Sequence, residues 1–272
     1  MSMENGGKKI TKIKLYACGY CQNDLGIVFH GHQKDIRKFP ALVVYLNHKK
    51  YGNILFDTGY SELVYQNGFV SKIYNTLNKT FVESDDVIDV KLKNDGISPD
   101  SVKYIIISHA HPDHIGGLNR FSGYRLITTK EVLAKMKAKK TLSLTFKNML
   151  PHGKIRVKTV EPTGEKTIFS EFFGEVYDIF GDGSVMGVRL DGHADGQMGI
   201  YIPEYKLFFA ADACWGEDIL DEVKNMYPLP RLIQNDFKKY SQTVTAIQKF
   251  SAVHPEVKII YSHGGMEEKV YE

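Results

Sequence analysis

The stretch Ser-His-Ala-His-Pro-Asp-His-Ile-Gly-Gly, residues 108–117, decides how the rest of the chain is interpreted. It places four groups that can bind a metal ion within six residues, namely His109, His111, Asp113 and His114. Imidazole nitrogens and carboxylate oxygens are ligands of zinc, iron, cobalt and manganese. The crowding of these groups predicts a metal centre, and a metal centre of this size needs further ligands elsewhere in the sequence.

Local geometry divides the four ligands into two pairs. The apolar run Tyr104–Ile107 predicts a buried strand that leads into the first pair. Residues two apart on extended backbone point to the same side, so we expect His109 and His111 to grip one cation together. Asp113 and His114 are adjacent, and we expect their side chains to diverge from each other. That geometry suits a second cation beside the first.

Three downstream residues share one context, because each follows an apolar run that predicts a strand. They are His193, Asp212 and His263. Ligands at strand ends can converge on one edge of a sheet although they are far apart in sequence. Together with the 108–117 segment they predict a completed site. The five remaining histidines are interpreted as surface or hydrogen-bonded residues: His30, His32, His48, His152 and His254.

Strands mixed with helices predict an α/β layered domain. Predicted strands cover Ala41–Leu46, Asn53–Phe56, Tyr104–Ile107, Val185–Leu190, Met198–Ile202, Lys206–Ala210 and Lys258–Tyr261. Predicted helices cover Ser61–Leu77, Lys130–Lys139 and Phe237–Phe250. We expect a flexible polar tail over residues 1–9 and a single domain over residues 10–272, since no linker-like tract interrupts the chain.

Composition narrows the function classes. The chain has 272 residues and a net charge of +3, which is too small to indicate a nucleic acid or membrane partner. A small-molecule substrate is therefore expected, and the oligomeric state is left open, with a homodimer as one option. Three cysteines, an odd number, do not make a disulfide framework, so a cytoplasmic location is expected. Cys18 and Cys21 could form a redox motif or half of a zinc knuckle, but no second cysteine pair follows. We favour an ordinary strand end with a glycine turn.

A lysine-rich segment spans residues 130–154 and holds seven lysines against one acid, Glu131. The favoured interpretation is a solvated helix face followed by a loop. The alternative is a basic rim that steers an anionic substrate.

The ordered motif and its downstream partners resemble those of the metallo-β-lactamase superfamily. The family pattern is His-x-His-x-Asp-His, followed by a His, an Asp and a final His, and Asp57-Thr58-Gly59 matches a further family landmark. The most similar members are the N-acyl-homoserine lactonase-like hydrolases. The resemblance implies a four-layer αββα metallo-β-lactamase sandwich, with the metals at one edge of the paired sheets.

The resemblance also implies a ligand set. It assigns His109, His111 and His193 to one metal ion, and Asp113, His114 and His263 to the other, with Asp212 bridging the two ions. It further implies that Asp57 supports a liganding histidine from behind and that Asp113 and Asp212 are the catalytic carboxylates. Zinc is the default for this set, although iron and manganese accept the same ligands.

One position departs from the lactonases. They carry a tyrosine three residues after the bridging Asp, whereas this chain has Trp215 there. An indole N–H donates a hydrogen bond but cannot act as a phenol does. The expected activity is hydrolysis of a lactone or carboxylic ester by a metal-bridging hydroxide. A phosphodiesterase or other phosphoryl hydrolase is the alternative, and a metal-binding protein without turnover is a third option that the full ligand set argues against.

Overall fold

The computed structural model describes residues 7–138, 144–151, 153, 155–265 and 267–272. Strands β1 to β13 span Ile10–Asp24, Ile36–His48, Gly52–Phe56, Lys79–Phe81, Val102–Ile106, Arg125–Thr128, Arg156–Thr159, Val176–Asp178, Met186–Arg189, Met198–Ile202, Leu207–Phe209, Lys258–Ile260 and Val270–Tyr271. Helices α1 to α7 span Leu25–Val28, Gly68–Leu77, Ile88–Asn94, Pro112–Ile115, Lys130–Lys137, Pro228–Arg231 and Phe237–Val253. Short 3-10 helices cover Glu62–Tyr65, Ser84–Asp86, Pro99–Ser101, Leu118–Arg120, Lys147–Met149, Pro203–Tyr205 and Glu217–Asn225.

The strands form two sheets. The larger sheet has the order β13-β1-β2-β3-β5-β6-β7, with β4 paired to β1. Its β1–β2–β3 part is antiparallel, and the strands from β3 to β7 run parallel. The smaller sheet has the order β12-β11-β10-β9-β8 and is antiparallel except for the parallel pair β11–β12.

Alternation along the strands builds the layers. In β5, Ile106 belongs to the apolar cluster between the two sheets, whereas Ile105 belongs to a cluster with residues of α3 and α5. In β11, Phe209 faces the inter-sheet cluster, and Phe208 packs with buried residues of α7 such as Phe250. Successive side chains of a strand point to opposite faces, so each sheet has one face against the other sheet and one against helices. The predicted four-layer αββα sandwich is confirmed.

One predicted helical region is divided in the structure. Between Ser61 and Leu77, a 3-10 helix at Glu62–Tyr65 is followed by a separate helix that starts at Gly68. Gly68 has a φ of +60°, a left-handed conformation that interrupts helical backbone. The other predicted strands and helices have counterparts whose ends differ by a few residues, and Lys139 lies outside the described residues.

Cys18 and Cys21 both lie in β1, and their thiols are free and buried. Burial raises the pKa of Cys21 to about 12. Between them, Gly19 has a φ of +75° at a register shift in the β1–β2 ladder. The pair therefore lies inside a strand and not at a strand end as predicted, and the buried thiols agree with a structural role.

The lysine-rich segment is only partly described, since Lys139, Lys140 and Lys154 lie outside the described residues. Lys130 forms an exposed ion pair with Glu161 at 2.9 Å. Residues 1–6 of the expected tail, and His152, also lie outside the described part of the chain. Elsewhere in the described ranges, no helix is both long and apolar enough to cross a membrane.

Candidate metal centre

The candidate ligands all follow the ends of strands. Strand β5 leads into the 108–117 segment, whose Pro112–Ile115 turn forms α4. In the second sheet, β9, β11 and β12 are followed within a few residues by His193, Asp212 and His263. Both sheets therefore deliver ligands to one common edge, as expected for residues that follow strand ends.

Three histidines form the first set of ligands, which we call the three-histidine group: His109, His111 and His193. The Nδ1 atom of His111 lies 3.1 Å from His109 Nε2 and 2.9 Å from His193 Nε2. His109 and His111 thus converge as their spacing on extended backbone predicts. Three nitrogens this close together can share one cation.

Four residues form the second set, the acidic group: Asp113, His114, Asp212 and His263. His114 Nε2 lies 3.4 Å from Asp113 Oδ2, so the expectation that these adjacent side chains diverge is wrong. Both residues lie in the short helix α4, where consecutive side chains are about 100° apart rather than on opposite sides. The long imidazole and the short carboxylate can therefore reach the same point.

Asp212 lies between the two groups. Its Oδ2 atom is 3.3 Å from His193 Nε2 of the three-histidine group and 3.0 Å from His263 Nε2 of the acidic group. Its Oδ1 atom is 3.2 Å from His114 Nε2. A single carboxylate is thus within reach of cations held by either group.

Two buried polar atoms indicate that these ligands fit metal ions. His114 Nε2 and Asp212 Oδ1 are buried and lie 3.2 Å apart, but their relative orientation makes no hydrogen bond, and neither atom makes one with any other described residue. Buried polar atoms without partners are rare in folded proteins because they cost free energy. A cation among them would remove that cost, and His and Asp ligands suit a divalent metal ion.

The pKa values of the three-histidine group favour the binding of a cation. Burial, together with neighbouring imidazoles, lowers the pKa of His111 to about 3. Burial also lowers the pKa of His109 and His193, in the case of His193 against the opposing effect of Asp212. Since a metal binds only the unprotonated nitrogen, these neutral rings are already in the form that binds.

The acidic group has the opposite balance. Burial alone would raise the pKa of Asp212, but His263 and His114 outweigh it and hold that pKa well below its usual range. Burial would lower the pKa of His114, yet the carboxylates of Asp212, Asp113 and Asp57 outweigh it and raise that pKa. The two carboxylates are held ionised by their imidazole partners, and a cation can take the place of the protons on those imidazoles.

Asp57 contacts His114 of the acidic group on the side of the ring that faces away from the other ligands. Its Oδ2 atom accepts a hydrogen bond from His114 Nδ1 at 2.7 Å, and its carboxylate also accepts from the backbone N–H and hydroxyl of Ser108. Asp57 has a φ of +62°, a strained conformation for a residue with a side chain, which these bonds hold in place. The contact fixes the His114 ring so that Nε2 faces the other ligands.

Three further residues contact candidate ligands at the outer ring nitrogen, which is the nitrogen that faces away from the other ligands. The sequence does not predict these three residues. Ser108 Oγ lies 3.0 Å from His109 Nδ1, Gln234 Oε1 lies 2.8 Å from His193 Nδ1, and the Pro40 carbonyl lies 2.7 Å from His263 Nδ1. Only Ser108 carries any sequence signal, as the residue that opens the motif. Gln234 and Pro40 reach the site through the tertiary fold.

Access to the centre is uneven. Six of the seven candidate ligands have side chains no more than 8% exposed, whereas His111 is partly exposed. Trp215 is also partly buried, and its ring packs edge-on against Phe39 at 5.9 Å. Phe39 in turn meets the His263 ring at 6.1 Å. The structure therefore connects Trp215 to the acidic group through one aromatic ring and not by direct contact with a ligand.

Two packed sheets with a cluster of His and Asp side chains at one edge are typical of a class of metal-binding protein. A comparison of the sequence with known families leads to the same class. Residues 37–253 match the model of the metallo-beta-lactamase superfamily. The chain belongs to this superfamily.

Curated relatives share part of the sequence. The N-acyl homoserine lactonase AttM of Rhizobium radiobacter is 27% identical over 135 residues, which cover 48% of this chain and 49% of the relative. AttM of Azorhizobium caulinodans is 29% identical over 107 residues, covering 39% of this chain and 38% of the relative. The chain spans about half of the length, or less, of these curated relatives.

Solved structures share the whole fold. An N-acyl homoserine lactone hydrolase with the product N-hexanoyl-L-homoserine at its catalytic metal centre superposes with a TM-score of 0.69 at 21% identity, covering 94% of this chain and 93% of that one. AidC, a dizinc quorum-quenching lactonase, superposes with a TM-score of 0.62 at 17% identity, covering 93% and 87% of the two chains. At these identities the likeness establishes the fold.

Proposed function

We propose that this protein is a binuclear metal-dependent hydrolase that cleaves a lactone or carboxylic ester. The observation that carries the proposal is the position of the Asp212 carboxylate, whose Oδ2 atom is 3.3 Å from His193 and 3.0 Å from His263. A carboxylate shared by two ligand groups is the arrangement that holds two cations close together. We also propose that residues 10–272 act as one domain.

Seven residues would hold the metal ions. The three-histidine group would bind one ion and the acidic group the other, with Asp212 shared between them. When bound, such a pair lowers the pKa of water toward neutrality and polarises the oxygen of the substrate carbonyl. Zinc is the proposed metal, because His and Asp are its ordinary ligands, and the dizinc lactonase AidC has the same fold.

Asp113 is the proposed proton carrier. Burial raises its pKa, but His114 and His263 outweigh that effect and lower it, so the carboxylate is ionised and can accept a proton. Its Oδ2 atom lies 3.5 Å from His263 Nε2. In the proposed reaction Asp113 orients the attacking water and passes the proton to the leaving-group oxygen.

The aromatic chain beside the acidic group supports an apolar substrate. Trp215 packs against Phe39 and, at 6.3 Å, against Phe29. Because Phe39 contacts the His263 ring, an apolar wall begins next to the ligands. We propose that this wall, including Trp215, lines the substrate pocket and accepts the hydrocarbon part of an acyl lactone or ester.

A substrate panel tests the proposal. Zinc-loaded protein is assayed with N-acyl-homoserine lactones, simple aryl esters and bis-aryl phosphates, and the same protein treated with a chelator is the control. Chelator-sensitive cleavage of the lactones or esters is expected. Preference for phosphates would contradict the proposed substrate class, and absence of chelator-sensitive turnover with all three would contradict the proposed activity.

Partners and location follow the same reasoning. A small molecule is the proposed partner, because the clustered ligands suit a compact reacting group. We propose a cytoplasmic location, which the three free cysteines support, since thiols persist in reducing compartments.

Metal analysis of protein purified without added metal tests the identity and number of bound ions.

A further inference from the structure

We infer that Gln234 is a positioning residue that holds His193 in the ring orientation and tautomer required for metal binding. The inference rests on the proposed metal centre. It concerns how this chain supports one ligand of the three-histidine group, for which the sequence gives no signal.

The direct contact fixes the tautomer of His193. Gln234 Oε1 lies 2.8 Å from His193 Nδ1, and the two residues are 5% and 4% exposed. An amide oxygen only accepts hydrogen bonds, so the proton of the neutral ring resides on Nδ1. The lone pair is then on Nε2, which points to His111 Nδ1 at 2.9 Å and Asp212 Oδ2 at 3.3 Å.

Backbone contacts hold Gln234 beside its partner. The N–H of Asn235 donates to the carbonyl of His193 at 3.0 Å, and the N–H of Asp236 donates to the carbonyl of Gly192 at 2.9 Å. Asp236 also caps helix α7 through its side chain. The start of a 17-residue helix thus fixes the distance between the amide and the imidazole.

Among the described residues, the side-chain amide of Gln234 has no competing partner. Its Nε2 atom is buried and makes no hydrogen bond with any of them. Within this part of the chain, the contact with His193 is therefore what offsets the cost of burying the side chain. A bulky apolar residue would fill the same space without leaving an unpaired donor.

His114 and His193 are supported by different chemistry. His114 of the acidic group has a carboxylate, Asp57, behind its outer nitrogen, whereas His193 has a neutral amide. A carboxylate makes the imidazole a stronger ligand than an amide does, because it stabilises the positive charge that develops on the ring. Exchange of the amide for a carboxylate should therefore strengthen the three-histidine group.

Two substitutions and one matched control test the inference. Gln234→Met keeps the length of the side chain but removes the acceptor, and Gln234→Glu keeps an acceptor and adds charge. Gln248→Met is the control, because Gln248 lies within α7, the helix that begins three residues after Gln234, and its side chain donates to Asp221 at 2.7 Å rather than to a candidate ligand. Zinc affinity of each site is measured by competition with a chromogenic chelator, and thermal unfolding of the metal-free proteins reports on the fold.

The expected result is a loss of about 10–100-fold in the affinity of one zinc ion for Gln234→Met, which is typical of removing such a partner. Gln234→Glu should bind that ion at least as tightly as the unaltered protein, and Gln248→Met should bind both ions normally. Unchanged affinity in Gln234→Met, or equal weakening in Gln234→Glu, would overturn the inference.

A spectroscopic measurement on the unaltered protein remains decisive if Gln234→Met does not fold. With ¹⁵N-labelled histidine, the zinc-loaded protein should show His193 protonated at Nδ1, and protonation at Nε2 would overturn the inference. If the unaltered protein binds no zinc at all, the proposed metal centre fails instead, so the two failures are distinguishable.

Discussion

Asp57 Oδ2 lies 2.7 Å from His114 Nδ1, and both side chains are completely buried. Burial raises the pKa of Asp57 despite the opposing effect of His114. A carboxylate placed in such surroundings is costly unless a charged or polar partner compensates it. His114, which Asp57 orients, and Ser108 compensate the cost of burying this carboxylate.

The Asp57→Asn substitution preserves shape but removes the charge behind His114. We expect the affinity of the acidic group for zinc to fall by about 10–100-fold, because a neutral amide polarises the imidazole less. Chelator competition measures the change. Asp221→Asn is the control, since it removes an exposed carboxylate that accepts from Gln248. Equal zinc affinity in Asp57→Asn and the unaltered protein would rule out the supporting role.

Asp212→Ala removes the carboxylate that both ligand groups approach. Turnover should be abolished and bound zinc should fall below two ions per chain, because each ion loses a ligand and the pair loses its bridge. Metal content and activity are measured on the same preparation. A variant that keeps both ions and full turnover would refute the assignment of Asp212.

Metal removal should destabilise the protein. A ligand that binds only the folded state at 100 times its Kd adds about 2.7 kcal/mol to the free energy of unfolding. For a chain of this size that corresponds to a rise in Tm of roughly 5–10 °C. Thermal unfolding with and without zinc, with magnesium as a control for ionic effects, measures it. Identical melting curves would be incompatible with a metal centre built from the folded chain.

Gly192→Ala should disturb the segment that carries His193. A Cβ at this position would lie 2.1 Å from the backbone nitrogen of Tyr240, and Gly192 has a φ of +127°. The expected loss in free energy of unfolding is about 2 kcal/mol or more, from backbone strain and overpacking together. Denaturant unfolding measures it.

Gly164→Ala separates the two contributions to that loss. Gly164 also has a positive φ, of +71°, but a Cβ there would meet nothing within 4 Å. It should therefore lose only the backbone part of the stability. A loss in Gly164→Ala as large as that in Gly192→Ala would show that close packing against Tyr240 is not the cause.

Trp215→Tyr introduces a phenol at the position where the resemblance to the lactonases implies a tyrosine. If the aromatic wall lines the substrate pocket, kcat/KM for N-acyl-homoserine lactones should rise relative to that for aryl esters, because the hydroxyl can hold the lactone carbonyl. Trp215→Phe is the matched control, as it lacks the hydroxyl. The same lactone-to-ester ratio in both variants would exclude Trp215 from substrate selection.

The spacing of residues in the sequence predicts the candidate ligands better than it predicts the residues that hydrogen-bond to those ligands. The 108–117 segment is short and ordered, so its His and Asp residues were found together, and strand-end context indicated His193, Asp212 and His263. Gln234 could not be found in this way. It is 41 residues from His193, and its contact depends on where α7 begins in space.

The long strand β1 was missed for a related reason. It spans Ile10–Asp24, but its pairing with β2 shifts register between Ile10 and Lys12 and again between Ala17 and Tyr20. Each shift interrupts the alternation by which a strand is recognised in sequence. Helical spacing between Ser61 and Leu77 likewise does not show that the helical region is divided before Gly68, because the division depends on the backbone conformation of that residue.

The delivery of ligands from both sheets has a consequence for protein synthesis. The first candidate ligand is residue 109 and the last is His263, so the acidic group is incomplete until synthesis has passed residue 263. A shorter nascent chain has the crowded 108–117 ligands, but lacks the imidazole that would complete the acidic group. Binding of the full set of cations should therefore follow synthesis of residue 263 and report that the two halves of the sandwich have come together.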